Sequence, residues 1–192
     1  VPILEHDGRS VQGSEQIITY LDEHFPEKKL TPVNSHDAQF ALEWERYLDR
    51  EIGVHLRRYV YHTLLQHPDL VIGFFATGGP FWAKPFLKVV FPKLSRTMRK
   101  LMDINEATAA KSRQSMLMAL ERLNDALDEK SYLVGERFSR ADLTAAALLA
   151  PLFMPPQYGL AWPAAMPEPL QSDVRALAPQ LAWAEKIYQQ HR

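Results

Sequence analysis

The chain has 192 residues, 46% hydrophobic and 23% charged, with a net charge of −1 and no cysteine. That length buries a substantial core in one or two domains, and the charge gives no electrostatic case for nucleic acid. Disulfides, cysteine-ligated metals and a cysteine nucleophile are excluded within it, and its seven histidines show no His-x-x-x-His or comparable spacing, so no metal is expected.

Val1-Pro2 opens a hairpin. Asp7-Gly8 has the chemistry of a two-residue turn, because both positions tolerate positive φ, and Ile3 to His6 and Arg9 to Gln12 are then short paired strands. Ser14 follows Gly13 and is placed to cap the next helix, with Glu15 in its first turn, where a carboxylate suits the positive end of the macrodipole. Ile17, Ile18, Leu21 and Phe25 mark its apolar face, and Pro26 stops it. Leu30-Thr-Pro-Val-Asn34 is a turn-rich linker in which Asn34 or Ser35 starts the next helix.

From there Phe40, Trp44, Tyr47, Leu48, Ile52, Leu56 and Val60 recur at helical spacing, predicting one long amphipathic helix to about Gln66, with Gly53 as a bend point. Glu43, Glu45, Asp49, Arg50 and Glu51 read as surface i,i+4 pairs. His55, Arg57, Arg58, Tyr59, Tyr61 and His62 crowd its C-terminal half, either as a solvated face or as groups that polarise a substrate. Leu70 to Pro92 is strongly apolar, but Lys84, Lys88, Gly78-Gly79, Pro80, Pro85 and Pro92 argue against a membrane span, which wants about 20 uninterrupted apolar residues. Its aromatics Phe74, Phe75, Phe81, Trp82, Phe86 and Phe91 allow three readings: extra core, wall of a substrate pocket, or a membrane-surface contact backed by Lys93, Arg96, Arg99 and Lys100.

Ala107 to Lys130 predicts another helix, with Met116, Leu120, Leu123 and Leu127 on one face. Gly135-Glu-Arg-Phe-Ser-Arg-Ala-Asp142 then opens a buried helix to about Met154: Ser139 is the cap and Asp142 stands at N3, a capping box with a structural role. A last helix is expected near Pro179 to Gln190.

Two of these features, Val1-Pro2 followed by Ser14 and the Gly135–Asp142 stretch, resemble glutathione transferases in order and separation. The resemblance implies an α+β, mostly helical fold. Residues 1–31 would be the C-terminal part of a thioredoxin-like glutathione-binding domain, and residues 35–192 an all-α domain with an aromatic-rich insertion near 67–103. It implies a cis bond at Val1–Pro2 that presents backbone groups to the cysteinyl part of glutathione, and Ser14, with Glu15 beside it, holding the γ-glutamyl carboxylate. A helix N-terminus with a free hydroxyl suits that carboxylate on physical grounds as well.

Arg58, Tyr61, Phe81 and Trp82 would border the electrophile's pocket. The implied activity is conjugation of glutathione to a small hydrophobic electrophile, or reduction with it, by a cytoplasmic homodimer serving detoxification, with glutathione as co-substrate. A non-catalytic interaction scaffold and a membrane-surface glutathione-dependent isomerase or synthase are the alternatives. Two departures stand out. The family's thiol-activating residue lies in a strand–helix–strand unit that precedes the Val-Pro, so a chain that opens at Val1 is expected to be a fragment, and no catalytic residue is assigned. Gly13 replaces the Glu or Gln common before the Ser, either weakening the glutathione site or simply bending the strand into the helix.

Overall fold

The computed structural model describes residues 2–128, 130–159 and 162–192. β1 (Ile3–His6) and β2 (Arg9–Gln12) form an antiparallel hairpin with His6 opposite Arg9. Asp7 and Gly8 take φ values of 48° and 73°, the left-handed pair a two-residue turn needs to match the twist of its strands. α1 (Ser14–His24) is tied to the hairpin by His6 Nδ1, 2.9 Å from the Tyr20 hydroxyl, and Tyr20 stacks on His24. Its buried residues are Ile18, Tyr20 and Asp22, whereas Leu21 and Phe25 of the expected apolar face are 37% and 41% exposed. Asp22 explains the shift: its carboxylate accepts the N–H groups of Leu30 and Thr31 at 2.7 and 2.9 Å, turning that side of α1 toward the linker.

The rest is helical: α2 (Ser35–Leu48), α3 (Val54–Leu64), α4 (Pro68–Phe75), α5 (Ala83–Leu101), α6 (Glu106–Leu127), α7 (Arg140–Phe153) and α8 (Leu170–His191). Asn34 caps α2, its side chain accepting the N–H groups of His36 and Asp37. α2 and α3 are the expected long helix, joined by a π-helical turn at Asp49–Gly53. A Cβ on Gly53 would sit 3.1 Å from Leu148 Cδ2, so glycine there allows close approach to α7, and the wider turn re-phases the side chains beyond it. α7 runs through the middle of the body, packed by α2 and α8, while α3 packs on α6. Leu48, Ile52, Met116, Leu120 and Leu149 are wholly buried between them.

The architecture is thus α+β and mostly helical, as expected. α8 begins at Leu170, not near Pro179. Pro179 falls on the exposed side, where the carbonyl that loses its helical hydrogen bond is open to solvent. The aromatic segment forms α4 and α5 and divides its side chains: Val71, Ile72 and Phe91 are buried, but Phe81 is 96% and Trp82 54% exposed.

Candidate functional site

α1 starts from an unusual corner. Gly13 is its cap at φ 98°, a left-handed value that a side chain would strain, and a Cβ there would meet Gln16 Oε1 at 2.3 Å. The Gly13 N–H donates to the Pro2 carbonyl at 3.0 Å, extending the hairpin ladder, and the Gly13 carbonyl accepts the first intrahelical bond from Ile17. Gly13 therefore takes the cap position expected of Ser14, which is the first helical residue. Ser14 is exposed, and its hydroxyl makes no hydrogen bond among the described residues. The N–H groups of Ser14, Glu15 and Gln16 precede that first intrahelical bond and face no helical acceptor. Pro2 is exposed beside them; Val1, and with it the expected cis bond to Pro2, lies outside the described residues.

Behind this corner a polar seam locks α1 to the helical body. Arg46 grips the Glu15 carboxylate with Nε and Nη2 at 2.9 and 2.6 Å, which holds that carboxyl below its usual range. Glu15 is therefore engaged by the helical body. Arg140, the first residue of α7, is buried; it bonds the Glu15 carbonyl at 3.1 Å, Thr19 at 3.3 Å and Thr31 at 3.2 Å, and its Nε donates to Glu45. The expected surface role of Glu45 is corrected: it is 1% exposed, and Oε1 has no hydrogen-bond partner among the described residues. Burial pushes its carboxyl up despite the bond from Arg140. α2 places Glu45 one turn from Leu48 and Ala41, on the core side, and Arg140 is the counterion that makes this tolerable.

The capping box forms as expected. Asp142 accepts from the Ser139 N–H at 2.8 Å, the Ser139 hydroxyl at 2.7 Å and the Leu133 N–H at 2.7 Å. Burial raises its carboxyl, and those bonds hold it back.

The crowded half of α3 separates by helical phase. Gly53, Arg57, Val60, Tyr61 and Leu64 face an apolar cleft of about 360 Å³, closed by Phe74 and Phe75 of α4, Leu148 and Leu152 of α7, and Tyr158 and Trp162. Tyr61 lines this cleft, and burial pushes its hydroxyl up while the nearby Arg57 charge opposes the shift. Arg58 does not line the cleft. One residue further round the helix, it donates to the Met102 carbonyl at 2.9 Å and Ser112 Oγ at 3.1 Å. Tyr59 turns to α8 and donates to Asp173, which Arg113 also holds at 2.8 and 2.6 Å. Phe81 and Trp82 are likewise absent from the cleft, which is lined instead by Phe74, Phe75 and Trp162. Spacing alone could not choose between them, because Arg57 and Arg58 stand four and three residues before Tyr61 and both separations share a helix face; the Met102 carbonyl and Ser112 take Arg58 away. Burial pushes the Asp49 carboxyl up, with the Arg57 charge opposing that shift and the Glu15 charge adding to it.

Among the described residues no group of three His, Asp or Glu side chains is placed to hold a metal ion. Residues 1–29 match the description "Glutathione S-transferase, N-terminal domain", and residues 81–169 match "Glutathione S-transferase, C-terminal domain". A protein of Nicotiana tabacum described as a probable glutathione S-transferase is 32% identical over 53 residues. That match spans 28% of this chain and 24% of the relative. Two crystal structures share the fold. A glutathione S-transferase domain-containing protein of Marinobacter aquaeolei VT8 has a TM-score of 0.58 at 20% identity, over 97% of this chain and 71% of that one. A beta-etherase of Sphingobium sp. strain SYK-6 has a TM-score of 0.61 at 18% identity, over 99% and 78%.

Proposed function

Because this chain belongs to the glutathione S-transferase family, we propose that it binds glutathione at the open corner of α1 and joins its thiol to a small apolar electrophile held in the α3–α4–α7 cleft. The observation that carries this reading is Ser14: an exposed hydroxyl without a partner among the described residues, followed by N–H groups that precede the first helical bond. The hydroxyl, these N–H groups and the positive end of a helix suit the γ-glutamyl carboxylate. Val1 and Pro2 would align the cysteinyl part through the backbone. The cleft has the character of an electrophile site, with apolar walls and few polar groups, Arg57 and Tyr61 among them. Holding thiol and electrophile together supplies the proximity on which such a transfer depends. One fold neighbour is named a beta-etherase, so ethers belong in the panel of electrophiles. In this reading the protein works as a cytoplasmic homodimer in detoxification.

A second reading, an interaction scaffold on the same fold, is favoured by two observations: Gly13 offers the peptide no side chain, and Glu15 is already held by Arg46. Titration calorimetry with glutathione separates the two. The transferase reading predicts micromolar to millimolar binding that weakens at least tenfold, about 1.4 kcal/mol, in Ser14→Ala. No binding at millimolar glutathione leaves the scaffold.

A further inference from the structure

α5 carries a surface that neither glutathione nor an electrophile uses. Its inner face is Leu87, Phe91, Leu94 and Met98, with Phe91 buried in the core and Leu87 and Met98 packed against it. Its outer face is a single stripe at spacings of four and three residues, Trp82, Phe86, Val89, Lys93, Arg96 and Lys100, and all six are exposed. The N-terminal half of the stripe is apolar, with Trp82 and Phe86 packed edge to face at 6.0 Å. The C-terminal half is cationic. No Asp or Glu occurs between Ala83 and Leu101, although the whole chain carries a net charge of −1. None of the cations of α5 enters an ion pair among the described residues.

We propose that α5 docks the protein on an anionic lipid surface. The helix would lie in the plane of the interface, Trp82, Phe86 and Val89 entering the acyl boundary while Lys93, Arg96 and Lys100 meet phosphate headgroups. The charge pattern selects this occupant. A second copy packed by a two-fold axis sets the apolar half of one stripe on the cationic half of the other, or brings the two cationic halves together. Duplex nucleic acid takes the cations and leaves the aromatic half in water. An anionic bilayer interface satisfies both halves at once. No helix among the described residues is long and apolar enough to cross a membrane, so the contact is a surface one. It is independent of the glutathione site, and its failure leaves that reading intact.

The test is co-sedimentation of the whole protein with vesicles of phosphatidylcholine alone and of phosphatidylcholine with phosphatidylserine, at low and high salt. Two variants accompany it, Trp82→Ala with Phe86→Ala, and Lys93→Glu with Arg96→Glu and Lys100→Glu. Both replace exposed side chains only, and circular dichroism confirms their fold. The expected result is binding to the phosphatidylserine vesicles alone, weakened by salt and lowered at least about tenfold in each variant. Equal binding to both compositions, or binding to neither, overturns the proposal. So does a concentration-dependent dimer that the same variants abolish, which gives the face to a second copy. Binding to duplex DNA without lipid binding overturns it too.

Discussion

Two helices of this protein begin with a serine after a glycine-containing loop, and they begin differently. At α7 the start is closed: Ser139 is the cap, Asp142 takes its N–H and hydroxyl, and both are buried. At α1 the start is open. Gly13 is the cap, Ser14 is one residue inside, and its hydroxyl has no partner among the described residues. The difference comes from the residue at the third helical position. Asp142 has the reach and charge to fold back on the cap, whereas α1 has Gln16 there, and the acid of its first turn, Glu15, is drawn off by Arg46. A closed start stabilises the fold; an open one leaves its donors available to solvent or to a ligand.

That contrast can be broken at the closed end first. Arg140→Ala, which strips the counterion from buried Glu45, is expected to cost about 3–5 kcal/mol in urea unfolding. Asp142→Ala leaves the Leu133 and Ser139 N–H groups without an acceptor and is expected to cost about 2–4 kcal/mol. A loss below about 1 kcal/mol in either would show that the closed start is not structural.

A third helix start sharpens the contrast through pH. Asp173, in the first turn of α8, is held below its usual range by Arg113 and Tyr59. A carboxyl lowered in the folded state adds stability that is complete above its unfolded pKa of about 3.9 and is lost as pH falls through the folded value. Asp173→Asn should therefore cost about 2 kcal/mol at neutral pH and flatten the stability profile below about pH 4. A parallel profile would contradict this assignment.

Effects at the open end should be smaller in stability and larger in binding. Gly13→Ala forces a side chain into positive φ beside Gln16 and is expected to cost about 1–2 kcal/mol. Ser14→Ala should change thermal stability by less than about 0.5 kcal/mol while weakening glutathione. A Ser14 variant that unfolds as readily as the Asp142 variant would erase the distinction between the two starts.

Much of this was legible in the sequence because the signals were local. The Asp7-Gly8 turn, the Asn34 cap, the Ser139–Asp142 box and the Met116–Leu127 stripe each depend on residues within a turn or two of one another. What escaped depends on partners distant in the chain. Glu45 looks like a surface acid until Arg140 arrives from α7, and Leu21 gives way to Asp22 because the linker folds back on it. Arg58 was named for the cleft and Arg57 belongs there. The partners that take Arg58, Met102 and Ser112, lie more than forty residues further along the chain. For Phe81 and Trp82 hydrophobicity leaves core, pocket wall and membrane surface open; the turn before α5 leaves both exposed.

The central claim is that the open start of α1 is where glutathione sits. Amide shift mapping by ¹⁵N NMR during a glutathione titration tests it most directly. The account predicts that the Ser14, Glu15, Gln16 and Ile17 amides move first and together, and that Ser14→Ala removes those movements while the Ser139–Asp142 amides stay still in both proteins. Shifts centred on the Arg57–Tyr61 cleft or around α7, with the α1 amides unmoved, would contradict it.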